Sequence, residues 1–112
     1  MMNVLFVCGR NQWRSPTAET IYRNDDRFNV RSAGVSDQSS RKVTTKTVVW
    51  ADVIFVMESD YGSRIRKTFR ELKMPRIVNL EIPDVYQYMD QELIELIQQG
   101  VESYFDDQHQ SD

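Results

Sequence analysis

The sequence predicts a single α/β domain in which helices cover both faces of a parallel sheet. Two continuous apolar runs, Val4-Leu5-Phe6-Val7 and Val53-Ile54-Phe55-Val56-Met57, have the β-branched, unbroken character of strands buried on both sides. Segments of helical spacing stand between the strand candidates and follow the last of them, and alternating strands and helices specify such a layered sheet. The chain has 112 residues and is 40% apolar, enough for one core without a disulfide or a structural metal.

The first strand stops at Cys8-Gly9. Ser15-Pro16-Thr17-Ala18-Glu19 reads as a helix start, with a hydroxyl near the N-cap, proline in the first turn and an acid near the positive end. Ala18, Ile21 and Tyr22 form its apolar stripe. Phe28 to Ser32 is a second strand ended by Ala33-Gly34, and the roughly twenty residues between the two strands suffice for a helical crossover between parallel strands. Residues 35–47 form a polar loop leading into a short helix expected to carry Val48, Val49 and Trp50 inward. After the Val53–Met57 strand, residues 59–73 read as a basic amphipathic helix with Ile65, Phe69 and Leu72 at helical spacing, and Pro75 blocks its continuation.

Residues 76–80 are the fourth strand and 90–105 the closing helix, with Leu93, Ile94, Ile97, Val101 and Tyr104 on one face and Asp90 as N-cap. The domain is expected over residues 1–105, with a polar C-terminal tail over 106–112 that holds His109. Right-handed crossovers then give a flavodoxin-like three-layer sandwich with strand order 2-1-3-4.

Charge separates along the chain. Residues 1–76 hold all 14 basic groups and eight acids, and residues 77–112 hold nine acids and no base. A cationic first part suits an anionic substrate. Arg10, Arg14, Arg23, Arg27 and Arg31 are not interleaved with exposed aromatics as in a single-strand platform, so nucleic acid is not the expected partner. No apolar run reaches the ~20 residues of a membrane span, and Met1 to Phe6 lacks the features of a signal peptide. One unpaired cysteine fits a reducing, cytoplasmic setting.

In doubly wound sheets, ligands bind beyond the carboxyl ends of the strands where the strand order reverses. Here that is the turn after the first strand, and it contains the only cysteine. Cys8-Gly9-Arg10-Asn11-Gln12-Trp13-Arg14-Ser15 has the form C-x5-R-S between a buried strand and a helix N-terminus. Five intervening residues can curl so that backbone N–H groups point into one concavity, and the following helix adds its positive end. The result is a nest for a tetrahedral dianion formed by Gly9, Arg10, Asn11, Gln12, Trp13 and Arg14.

Arg14 can close the nest with a planar, bidentate fork. The groups that hold phosphate also favour a thiolate, which makes Cys8 a nucleophile toward phosphorus. Ser15 can donate a hydrogen bond to that thiolate. Asn11 suits a left-handed turn position and can hold the loop through its amide. Asp84, just past the fourth strand, is the candidate general acid, and Tyr86 and Tyr88 are candidate walls for an aromatic ester.

VLFVC-x5-RSPTAE, Arg31-Ser32-Ala33-Gly34-Val35, the Ala51–Met57 strand and Ile82-Pro83-Asp84-Val85-Tyr86 together resemble the low-molecular-weight protein tyrosine phosphatases, in order along nearly the whole chain. The likeness is greatest to a short bacterial subgroup described as predicted protein tyrosine phosphatases. The resemblance implies that Cys8 is the nucleophile and Arg14 the phosphate clamp, with Asn11, Ser15 and Ser32 as the supporting hydrogen-bond network. It implies no metal or organic cofactor. Arg10 stands where the family usually has glycine, Trp13 where it has a second cysteine, and Val85 where proline follows the acid.

The expected activity is hydrolysis of phosphotyrosine, in a protein or a small aryl phosphate, through a cysteinyl-phosphate, with inorganic phosphate as product and competing ligand. Two alternatives remain open at this level. One is an arsenate reductase coupled to an external thiol. The other is a phosphate- or phosphoprotein-binding module without turnover.

Overall fold

A computed structural model describes residues 1–110, with no side chains described beyond Asp107. Eight elements follow in chain order: β1 (Met2–Cys8), α1 (Arg14–Tyr22), β2 (Phe28–Gly34), α2 (Thr45–Trp50), β3 (Val53–Val56), α3 (Ser59–Thr68), β4 (Arg76–Asn79) and α4 (Gln91–Gln110). The four strands form one parallel sheet in the order β2-β1-β3-β4, as the sequence predicts.

Strand alternation sorts the core into two layers. Val4, Phe6 and Cys8 face the side where Ala18 and Tyr22 of α1 pack with Leu93, Ile97 and Val101 of α4. Leu5 and Val7 face the other side, against Val48 of α2 and Ile65 of α3. Phe6 stacks between Tyr22 and Phe55 at ring separations of 6.0 and 5.5 Å. These contacts span three elements and fix where β1 ends, which is where the loop of interest begins.

Several elements differ from their sequence expectation for identifiable reasons. β2 runs two residues further, to Gly34, because Val35 and Ser36 go on to donate backbone hydrogen bonds to the Cys8 and Gly9 carbonyls. Residue 34 must be glycine, since a Cβ there would lie 2.8 Å from both the Asn11 nitrogen and the Gly9 oxygen. α3 stops at Thr68 rather than residue 73. Phe69 leaves helical geometry, and with Leu72 it turns down onto the second core layer.

Val49 is 68% exposed, so α2 presents only Val48 fully inward. Trp50 is half-buried, with the Arg31 guanidinium 4.3 Å from its ring. α4 continues through residues 106–110, the first part of the expected tail, while residues 111–112 lie outside the described residues. Its apolar stripe holds the earlier turns, and the helical ladder carries on past it. Gly100 does not interrupt that helix. It lets Leu80 pack against it, where a Cβ would sit 2.7 Å from Leu80 Cδ2. Asp90 caps α4 by accepting from the Glu92 N–H at 3.0 Å.

Candidate active site

The segment between β1 and α1 lines a cavity of about 280 Å³ formed by Cys8, Gly9, Arg10, Gln12, Trp13, Arg14, Ser36 and Asp84. Cys8 is the last residue of β1, so the sheet sets the position of its sulfur, and α1 begins at Arg14 with its N-terminus toward the cavity. The N–H groups of residues 10–13 donate to no backbone carbonyl among the described residues. They remain available to an oxyanion, as an anion nest requires.

Asn11 holds the curl of the loop. It adopts φ 55°, a left-handed conformation that asparagine tolerates better than most residues. Its side-chain amide donates to Ser15 Oγ at 3.0 Å and to Ser32 Oγ at 2.9 Å. Ser40 donates to its carbonyl oxygens on the main chain and side chain. Asn11 itself is buried and does not line the cavity, so its part is to brace the loop. Ser15 does not cap α1, whose N-cap residue Trp13 makes no side-chain cap. The Ser15 hydroxyl lies instead 2.9 Å from Cys8 Sγ and 3.3 Å from the Ala33 carbonyl.

Arg14 is only 2% exposed, and its partners are specific. Nη1 donates to Glu58 Oε2 at 2.6 Å and to the Ile82 carbonyl at 2.7 Å, and Nη2 donates to Tyr61 Oη at 2.8 Å. A guanidinium has five N–H donors. These three bonds leave Nε–H and one Nη2–H, which share one edge of the plane, for a bidentate contact. Asp84 Oδ1 stands 3.6 Å from Nε on that edge.

Burial works against the Arg14 charge, but the hydrogen bonds to Glu58 and Tyr61 outweigh it and raise its proton affinity above the ordinary value. The hydrogen bond from Tyr61, followed by that from Arg14, holds Glu58 below the usual carboxylate range despite partial desolvation. Desolvation and then Glu58 push the Tyr61 phenol up. Glu58 therefore stays anionic and Tyr61 protonated around neutral pH.

Sequence reasoning did not single out Glu58, Tyr61 or Ser36. Glu58 and Ser36 follow the carboxyl ends of β3 and β2, the same edge that singles out Asp84, and that rule could have found them. Tyr61 carries no such signal. It reaches Arg14 from the first turn of α3 and passes over Gly9, where a Cβ would come within 3.2 Å of its hydroxyl.

Asp84 does reach the cavity, and its side chain is 64% exposed. Tyr86 and Tyr88 do not line it. Tyr86 packs on the edge of the first core layer, and Tyr88 is drawn toward α1 by a 2.8 Å contact with Thr20 Oγ1. The flat group at the mouth is Trp13, 38% exposed, with Arg10 beside it.

Comparison with known proteins bears on the fold and on the first part of the chain. Residues 3–52, which span β1, the loop and β2, match the family model of low molecular weight phosphotyrosine protein phosphatases. No curated protein sequence matches the chain. Among solved structures, the low molecular weight protein tyrosine phosphatase of Streptococcus pyogenes aligns with a TM-score of 0.78 at 21% identity, over 95% of this chain and 92% of that one. YfkJ from Bacillus subtilis aligns at 0.73 and 22%, over 99% and 96%. The YwlE arginine phosphatase from Geobacillus stearothermophilus aligns at 0.71 and 21%, over 98% and 97%. At these identities the likeness to the solved structures is one of fold. The segment that builds the site thus matches the low molecular weight phosphotyrosine protein phosphatases, a cysteine-dependent family, and the chain as a whole has the fold of that family's solved members.

Proposed function

We propose that the protein is a phosphomonoesterase of the protein tyrosine phosphatase type that hydrolyses phosphotyrosine or other aryl phosphates through a cysteinyl-phosphate. The observation that carries this reading is Cys8 lining a cavity beside an arginine whose Nε/Nη2 edge makes no hydrogen bond, with only Asp84 standing 3.6 Å off it, while three other N–H groups are held from behind.

The phosphoryl oxygens would sit on the loop N–H groups and on that free edge. The Cys8 thiolate attacks phosphorus, the S–P bond forms as the ester P–O bond breaks, and Asp84 in its acid form gives its proton to the departing oxygen. Asp84, now a carboxylate, then takes a proton from a water whose oxygen attacks phosphorus. Inorganic phosphate leaves, and the thiolate is restored. The charge on the equatorial oxygens remains in the same cradle throughout, which makes the stabilisation preorganised.

Arg10 at the mouth repels a cationic phosphoguanidine and Trp13 offers a ring on which an aryl ester can stack, so phosphotyrosine is the preferred class over the phosphoarginine suggested by one of the fold relatives. A thiol nucleophile suits a reducing, cytoplasmic compartment. The test is aryl-phosphate hydrolysis at pH 5 to 7 by the protein and by Cys8→Ser, with phosphotyrosine and phosphoarginine compared as substrates. Turnover abolished in the variant supports the reading. Phosphate binding without turnover in the unaltered protein would overturn it in favour of a binding module.

A further inference from the structure

Behind the loop a chain of side-chain hydrogen bonds runs from the α1 surface to the Cys8 sulfur. Ser32 Oγ donates to Glu19 Oε1 at 2.5 Å, and Asn11 Nδ2 donates to Ser32 Oγ at 2.9 Å and to Ser15 Oγ at 3.0 Å. Ser15 Oγ lies 2.9 Å from Cys8 Sγ. Every member except Glu19 is ambivalent. A hydroxyl both donates and accepts, and a primary amide presents either its oxygen or its NH₂ depending on which way it is turned. An ionised carboxylate only accepts.

That asymmetry gives the chain a direction. Because Glu19 accepts, Ser32 must spend its only proton on Glu19 and can offer Asn11 nothing but lone pairs. Asn11 must then turn its NH₂ toward Ser32, which aims the other amide hydrogen at Ser15 and leaves the amide oxygen to Ser40. The Ser40 hydroxyl can equally give its proton to the Asn11 main-chain carbonyl and accept from a turned amide, so that Glu19 is the one acceptor-only group on the chain. Ser15, already accepting from Asn11, keeps its own proton free. The proton has two outlets, the Ala33 carbonyl at 3.3 Å and Cys8 Sγ at 2.9 Å. When Cys8 is a thiol its S–H can donate to Ser15, and the Ser15 proton goes to Ala33. When Cys8 is a thiolate the proton swings to sulfur, the nearer and charged acceptor. With the opposite direction, Asn11 oxygen would face Ser15, the Ser15 proton would be committed there, and the thiolate would lose its donor.

We infer that Glu19 is a positioning residue that acts at a distance on the nucleophile, by setting the direction of the Ser32–Asn11–Ser15 chain so that it ends in a donor to the Cys8 thiolate. This rests on the proposed phosphatase function and adds a residue that touches neither sulfur nor substrate. The placement of Glu19 fits the role. Its side chain is 17% exposed, and Arg41 on the 35–44 loop pairs with it at 3.3 Å. Around it on the surface lie Arg23, Asp25, Asp26 and Arg31, with which it lines one shallow cavity.

The experiment measures the rate of Cys8 alkylation by iodoacetate from pH 5 to 9, alongside aryl-phosphate turnover and thermal unfolding. In Glu19→Ala, alkylation and turnover at pH 6 are expected to fall about 10-fold, the worth of one hydrogen bond to a charged group, while alkylation at pH 9 matches the unaltered protein. Glu19→Gln, whose carbonyl can still accept from Ser32, is expected to recover most of the loss. Ser32→Ala cuts the chain without touching Glu19 and should show the same profile, and adding Glu19→Ala to it should cost nothing further.

An unchanged alkylation profile in Glu19→Ala, even with a lower melting temperature, would overturn the inference, as would additive losses in the double variant. If Glu19→Ala does not fold, Glu19→Met, which keeps the length of the side chain but cannot accept from Ser32 as a carboxylate does, is compared in the unaltered and Ser32→Ala backgrounds and decides in the same way. Turnover in the unaltered protein, lost in Cys8→Ser, keeps the phosphatase reading standing whichever result is found.

Discussion

The cradle and the segment that carries the acid lie on the same edge of the sheet and are built in opposite ways. Cys8, Asn11, Arg14 and Ser15 are buried, and their side chains are tied to β2, to α1 and to the start of α3. Residues 81–90 cross the surface, with Glu81 and Met89 in left-handed conformations at φ 56° and 63°. Ile82 is buried and its carbonyl accepts from Arg14 at the start of α1, and Asp84 stands 3.6 Å from the same side chain. Beyond them the segment is tethered to α1 by Tyr88 Oη to Thr20 Oγ1 and by the Met89 N–H to Thr17 Oγ1. Oxyanion binding is thus prepared by the fold before substrate arrives. Proton delivery depends on a lightly held arm, and the two should respond differently to substitution.

The largest separation is expected from Asp84→Asn. Without the acid, the leaving oxygen departs as an anion, which p-nitrophenolate tolerates and phenolate does not. Phenyl phosphate turnover should fall by about 10² to 10⁴ with far less effect on p-nitrophenyl phosphate, and oxyanion affinity should be kept. Asp90→Asn should do almost nothing, because Asp90 is a helix cap and asparagine caps as well. A leaving-group dependence that appears in the Asp90 variant would move the acid to the start of α4.

On the cradle side, Arg14→Lys keeps the charge but loses the fork. Turnover is expected to drop by about 10² for good and poor leaving groups alike, since the contact strengthens in the transition state. Equal turnover in that variant would mean that phosphate does not meet the Nε/Nη2 edge. Gly34→Ala drives a Cβ into the backbone of the loop and should cost about 1–3 kcal/mol in denaturant unfolding together with phosphate affinity. The nearby Ser39 hydroxyl can rotate aside, but the Asn11 nitrogen and Gly9 oxygen cannot.

The smallest effect is one of pH. Glu58 is held below the usual carboxylate range by Tyr61 and then Arg14, so the folded state binds its proton more weakly than the unfolded chain does. Its contribution to stability is complete above the ordinary carboxylate range and is lost as pH falls through the lowered folded value. Solvent reaches this pair, so the effect is modest. Glu58→Gln should flatten the acid limb of a stability profile and weaken phosphate binding at neutral pH, both readable by thermal shift with and without phosphate.

The sheet was legible because strands buried on both faces leave unbroken apolar runs, and the reversal of strand order then selects one turn out of the whole chain. Cys8 and Arg14 followed from that turn and from their spacing. The long-range partners were harder to read: Glu58 and Tyr61 reach Arg14 across more than forty positions in the chain, Glu58 marked only by its place just past the carboxyl end of β3 and Tyr61 by nothing local. Tyr86 and Tyr88 misled for the converse reason. Alternate residues of an irregular surface segment need not share a face, and here one joins the core edge while the other turns toward α1. Glu19 read as an ordinary helix-start acid because its partner Ser32 lies on the neighbouring strand, and only the fold brings them together.

The central claim is that Cys8 carries the phosphoryl group during turnover. Rapid acid quenching of the protein mixed with p-nitrophenyl phosphate, followed by mass spectrometry of the peptide spanning Cys8, tests it directly. The account predicts a single phosphoryl adduct on Cys8 that forms with the release of p-nitrophenolate, and no sustained turnover by Cys8→Ser. Sustained hydrolysis by Cys8→Ser, or turnover by the unaltered protein with the phosphoryl group trapped on another residue, would contradict it.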